Sequence, residues 1–134
     1  MGAKWIVIAG AVLAAAGVAL GAFGAHGLDK QLQAMGYEAN LSQRMAWFET
    51  GVRYHMLHAL GLLAIAAIAA RTPTGGMHWA AALLIVGIAL FSGSLYAMTF
   101  AGDAWRKLGM VTPLGGLALI VGWLTLAIAA SRAS

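Results

Sequence analysis

The chain has 134 residues, of which 62% are hydrophobic and only 9% charged, with a formal net charge of +4. A soluble domain carries about 25% charged residues, so a surface facing mainly water is excluded. With no cysteine it has no disulfide framework or thiol chemistry, and its eight basic residues are scattered between apolar runs, which makes membrane lipids rather than nucleic acid the expected partners.

The first apolar run, residues 5–25, lacks Lys, Arg, Asp and Glu and is close to the roughly 20 residues that cross a bilayer core. It exceeds the usual 7–15 residues of a signal-peptide core, so a retained span is expected. Gly10, Ala14, Gly17, Gly21 and Gly24 recur every three or four residues and form a smooth stripe for a neighbouring helix. Residues 27–40 read as a polar connector with amphipathic character: Leu28, Leu32 and Met35 fall at helical spacing and Gly36 ends the pattern. Asn40 followed by Gln43 predicts a capping box. A helix starting there and running to Ala70 is about 45 Å long, against roughly 30 Å of hydrocarbon, so its first turns project or tilt.

The second span, 51–70, has a polar entrance. Thr50, Tyr54 and His58 stand at successive i, i+4 positions and His55 lies about 60° from His58, so all four share one broad face. Glu49 and Arg53 form an i, i+4 pair on another face. The third span, 79–100, carries Ser92, Ser94, Tyr96 and Thr99 near its end; the fourth, 110–131, begins with Thr112 and Pro113. Gly87, Gly93, Gly115, Gly116 and Gly122 offer further flat patches for packing within the bundle or between copies. GVALGAFGA at 17–25 also echoes GIALFSGSL at 87–95, a weak internal similarity.

Four crossings put both termini and the 71–78 loop on one side, here the terminal side, and residues 26–50 and 103–107 on the other, the loop side. Trp5 and Trp79 then sit at one interface, Trp47 and Trp105 at the other. Trp123 falls inside its span, where core packing is expected, and His78 reads as an interfacial residue. The basic residues favour loops inside by raw count, but all four acids also lie on the loop side, which leaves the orientation open on composition alone.

The expected fold is all-α: a four-helix transmembrane bundle forming a single domain over residues 1–134, with a polar connector between helices 1 and 2. Alternating direction brings His26, Thr50, Tyr54, His55, His58, Ser92, Ser94, Tyr96 and Thr112 toward the loop-side leaflet, with Arg53 at the rim. Polar groups at that depth cost several kcal/mol unless they face inward and find partners, so a polar cup is expected there.

The first reading of that cup is structural: His58 and Tyr54 bond to Ser92, Ser94 or backbone carbonyls and fix helix register, in a non-enzymatic bundle without cofactor or metal. A second is a site for a small ligand or lipid headgroup, or a proton-coupled or small-solute path built by an oligomer. A metal held by His26, His55 and His58, and an enzyme using His58 as base for Ser92 or Ser94, are further alternatives.

At LGAFGAH (20–26), F-x-T-G-x-x-Y-H-x-x-H (48–58), FSGSLY (91–96), VTPLGG (111–116) and GW (122–123), the chain resembles the YgdD-like family of small bacterial inner-membrane proteins. The resemblance implies four membrane helices in a bacterial cytoplasmic membrane, with both termini in the cytoplasm, and it implies no reaction. The motifs contain most of the cup; the connector at 28–47 lies outside them.

Overall fold

The computed structural model describes residues 2–133. Helices α1 (Lys4–His26), α2 (Leu28–Ala34), α3 (Leu41–Ala69), α4 (Gly75–Phe100) and α5 (Val111–Ser131) follow in order, with 3-10 segments at Glu38–Asn40 and Asp103–Met110. Four of the helices, α1, α3, α4 and α5, are long and apolar enough to cross a bilayer. The protein is therefore an all-α bundle of four membrane-length helices. α4 begins at Gly75, four residues earlier than expected, because Thr74 is extended and the turn from α3 closes quickly.

The main contacts run α1 to α3, α3 to α4 and α4 to α5, so α3 and α4 are central while α1 and α5 flank them. Small residues make these contacts close. Along α1, Gly10 meets Leu62 and Leu63, Gly17 meets His55 and Met56, Gly21 meets Val52, and Gly24 meets Phe48. The stripe is the α1–α3 interface, and burying it brings backbones together where Leu against Leu would gain little over lipid. Between α4 and α5 a Cβ on Gly115 would overlap the backbone of Leu90 and Phe91. Gly93 differs from the expectation: a Cβ there would meet open space. Trp123 is not a core residue either. It is 41% exposed and lays its ring across Gly61 of α3, where a side chain would block it.

Two apolar clusters divide the bundle by level. The terminal-side cluster includes Ile6, Leu62, Ile65, Met77, Leu84 and Leu119. The loop-side cluster centres on Leu28, Leu32 and Phe48, with Phe48 lying 5.4 Å from the Tyr96 ring and 6.0 Å from that of Phe100, centroid to centroid. Leu28 and Leu32 of α2 are fully buried and Met35 is exposed, so only the first two of the three apolar connector positions pack.

α2 stops in a Schellman motif. Gly36 takes φ +84°, Tyr37 N–H donates to Leu32 O at 3.0 Å and Gly36 N–H to Gln33 O at 2.9 Å, the pattern a left-handed glycine permits at a helix end. The turn throws Tyr37 back onto the start of α3. The capping box does not form: Asn40 makes no side-chain cap bond, because its Oδ1 instead accepts from Arg44 Nε at 2.9 Å. α3 holds 29 residues, about 43 Å at about 1.5 Å each, and its surplus length is clothed by α2 and the end of α4 rather than left bare.

Candidate functional site

A polar layer lies between the two apolar clusters. Its centre is His55, buried on α3, whose Nε2 lies 2.8 Å from Leu13 O on α1 and whose Nδ1 lies 2.9 Å from the Tyr96 hydroxyl on α4. A carbonyl only accepts, so Nε2 carries the proton and Nδ1 accepts from the phenol. One neutral ring thus joins three helices. Beside it Ser92 Oγ donates to Gly51 O at 2.7 Å, tying α4 to α3. Ser94 Oγ and Thr112 Oγ1 meet at 2.6 Å, tying α4 to α5, and Ser94 also donates to Phe91 O at 2.9 Å. Thr99 Oγ1 donates to Leu95 O at 2.8 Å within its own helix. Gly51 exists for this layer too, since a Cβ there would run into the Tyr96 ring.

The remaining expected members do not join. His26 is exposed at the end of α1, beyond the layer. Thr50 is half-buried and its hydroxyl makes no hydrogen bond to any described residue. Tyr54 is 40% exposed, packs its ring at a tilt against Phe91 at 4.6 Å and stacks on His58 at 6.0 Å, centroid to centroid. His58 is buried, but Nδ1 donates back to Tyr54 O at 2.6 Å, and its ring lies 5.8 Å from that of Trp123. The broad face expected of α3 is split by its neighbours: His55 turns between α1 and α4, whereas Tyr54 packs on Phe91 of α4 and His58 turns toward Trp123 of α5. Arg53 and Glu49 pair at 3.0 Å on the exposed side, as acid-before-base spacing predicts, at the rim of an apolar groove of about 390 Å³ between α1 and α3.

Two of the alternatives join side chains that the structure holds apart. His26, His55 and His58 do not converge, and no cluster of three His, Asp or Glu suited to a metal occurs among the described residues. Neither serine contacts His58; each donates elsewhere, so no serine–histidine pair is assembled. On the terminal side, His78 is more than interfacial: its Nδ1 accepts from Trp5 Nε1 at 3.0 Å, joining the starts of α1 and α4.

The residue missed by sequence reading is Arg44. It is 2% exposed. Its Nη1 donates to Met98 O at 3.0 Å, Thr99 O at 2.8 Å and Ala101 O at 2.8 Å, while Tyr37 covers the guanidinium at 3.5 Å from ring centroid and donates its hydroxyl to Phe100 O at 3.3 Å. The unsatisfied carbonyls that end α4 are therefore all taken by the connector and α3. The negative end of the helix dipole also faces the cation, which suits both. The available signal was the end of α4 itself, whose last turn contains no basic residue and so needed a donor from elsewhere.

A family model described as "Protein of unknown function (DUF423)" matches residues 20–116. The chain is 41% identical to "UPF0382 membrane protein YwdK" of Bacillus subtilis (strain 168) over 130 residues, covering 96% of this chain and 98% of that one. It is 42% identical to a "UPF0382 membrane protein" of Staphylococcus epidermidis (strain ATCC 12228 / FDA PCI 1200) over 94% of each chain. Against "UPF0382 inner membrane protein YgdD" of Escherichia coli (strain K12) identity is 34%, over 98% of this chain and 93% of that one. No solved structure matches.

Proposed function

The chain belongs to this family of membrane proteins of unknown function, as its motifs from LGAFGAH to GW imply, and from that premise we propose that it is a non-enzymatic membrane bundle whose polar layer locks four helices together. It is a multi-pass membrane protein, and its home in this reading is the inner membrane, with both termini in the cytoplasm. Residues 1–134 act as one integral membrane unit. The supporting observation is His55, both of whose ring nitrogens are engaged by other helices. Lipid favours no particular arrangement of apolar helices, so directional bonds and small-residue contacts specify which faces meet.

The layer's groups bond to one another and to backbone carbonyls instead of lining a path, which argues against conduction by a single copy. Lipids are the partners of this reading, covering the exposed apolar residues of α1 and α5 such as Ile8, Val12, Leu117 and Leu124; a second copy is the other candidate for those flanks. The test is unfolding in bicelles together with mass analysis of co-purifying small molecules. His55→Ala and Ser92→Ala are expected to lower the unfolding midpoint without changing what co-purifies. Unchanged stability, or a small molecule kept by the wild type and lost by a fully stable His55→Ala protein, would overturn the lock.

A further inference from the structure

The connector and the end of α4 enclose an open polar pocket of about 420 Å³, lined by Gly36, Tyr37, Asn40, Arg44, Asp103 and Arg106 among others. That size is within the range of small-molecule sites, about 300–1,000 Å³. Its chemistry is set by a guanidinium that has no carboxylate partner among the described residues. Arg44 is nearly fully buried, and among the described residues no carboxylate stands within ion-pair distance of it. Its partners are neutral dipoles: three carbonyls through Nη1, the Asn40 amide through Nε and a phenol ring. Nη2 makes no hydrogen bond to any described residue. The α4 terminus stabilises the cation but leaves the two Nη2 donors free for a guest, and a charge-assisted partner for them is an anion.

The pocket supplies a second guanidinium. Arg106 is held by Gln43 at 3.2 Å and only loosely by Asp103, at 3.7 Å. Arg44 Nη2 and the Arg106 guanidinium facing one space suit a tetrahedral oxyanion, whose several acceptor oxygens can take donors from both arginines at once. Asp103 reduces the lining charge from two positives to one, so the fitting guest is a monoanion. The level fits as well: α3 exceeds the roughly 30 Å hydrocarbon layer by about nine residues, and Arg44 stands in its first turn, at the loop-side end.

We propose that this pocket binds a phosphate group, as a lipid phosphodiester or as free phosphate, through Arg44 Nη2 and Arg106. The proposal is independent of the lock at His55. The test measures thermal unfolding of the full chain in dodecyl maltoside with added phosphatidylglycerol against diacylglycerol, and with inorganic phosphate against chloride at matched ionic strength. A midpoint raised by phosphatidylglycerol alone assigns the lipid; one raised by inorganic phosphate assigns the free ion. In either arm Arg106→Gln is expected to weaken binding at least tenfold and Asp103→Asn to strengthen it several-fold. Lys107→Gln, an equal loss of charge at an exposed residue outside the pocket, should change it less than twofold. Arg106 is itself largely exposed, so its loss leaves the fold intact. The proposal is overturned if neither probe raises the midpoint, or if Arg106→Gln and Lys107→Gln weaken binding equally.

Discussion

Replacing His55 and Tyr96 by Phe, singly and together, measures the bond on which the lock depends. In the wild type Nδ1 accepts from the phenol at 2.9 Å and Nε2 donates to Leu13 O at 2.8 Å. Side-chain hydrogen bonds between membrane helices average about 0.6 kcal/mol and reach about 1.7. His55→Phe removes two of them, so a loss of about 1–3 kcal/mol is expected; Tyr96→Phe removes one, about 0.6–1.7 kcal/mol. The shared bond is counted in both single variants but lost only once in the double. The double variant should therefore be more stable than the sum of the singles implies, by about the value of one such bond. Reversible unfolding in mixed micelles supplies the four free energies. A coupling below about 0.3 kcal/mol lies within ordinary additivity and would refute the claim that these two residues hold α3 to α4.

Gly115→Ala puts a methyl into the backbone of Leu90 and Phe91, neither of which can swing aside, so a loss of about 1–3 kcal/mol or more is expected from overpacking, whereas Gly93→Ala meets open space and should stay within about 0.5 kcal/mol; equal effects would contradict the α4–α5 contact. Arg44→Met removes the donor to three carbonyls, each worth roughly 1–3 kcal/mol if left unmet. Partial rehydration at the helix end reduces the total to about 2–4 kcal/mol, with faster amide exchange in the last turn of α4; unaltered stability and exchange would sink the capping role. A Lys30→Cys protein in intact cells should react with a membrane-impermeant maleimide if the termini are cytoplasmic; labelling only after lysis reverses the orientation.

The long elements were legible because a bilayer imposes one length scale on all of them. Residues 5–25 and 110–131 need no tertiary information to be read as spans, and the α1 glycines face α3 as their spacing implies. The helical wheel was less reliable for the site. It groups His55 with His58 correctly to within about 60°, but that angle separates the α1–α4 cleft from the α5 side, so the two histidines acquired unrelated partners. His26 ends α1 beyond the layer, and Thr50, at a suitable level, makes no hydrogen bond to any described residue; counting depth along the sequence distinguishes neither from the true members. Arg44 was invisible for a different reason: its burial requires Tyr37, delivered by the left-handed turn at Gly36, and the end of α4, more than fifty residues away in sequence. Nothing local to Arg44 distinguishes it from Arg106.

The arrangement of the buried polar groups follows the cost of desolvation along the membrane normal. Deepest are Ser92, Ser94, Thr112 and His55, where hydroxyls, carbonyls and a neutral ring satisfy one another without charge. Two to three turns outward along α3 comes Arg44, a full charge out of water but set against the negative end of α4 and covered by an aromatic face. Between these two levels Glu49 and Arg53 pair on the outward flank of α3, and Asp103–Arg106 lies in the segment after α4; both pairs are exposed and worth little individually. A lock that must persist in lipid gains from being neutral, because a charged member would draw water or headgroups inward. A site that must capture an anion needs the opposite, and the first level at which a guanidinium can be buried cheaply is beside a helix terminus. That ordering is why the layer and the pocket are separate: exchanging His55 for Arg would bring a charge to a level where it meets only Leu13 O and a phenol, and the expected result is loss of the folded bundle rather than a second anion site.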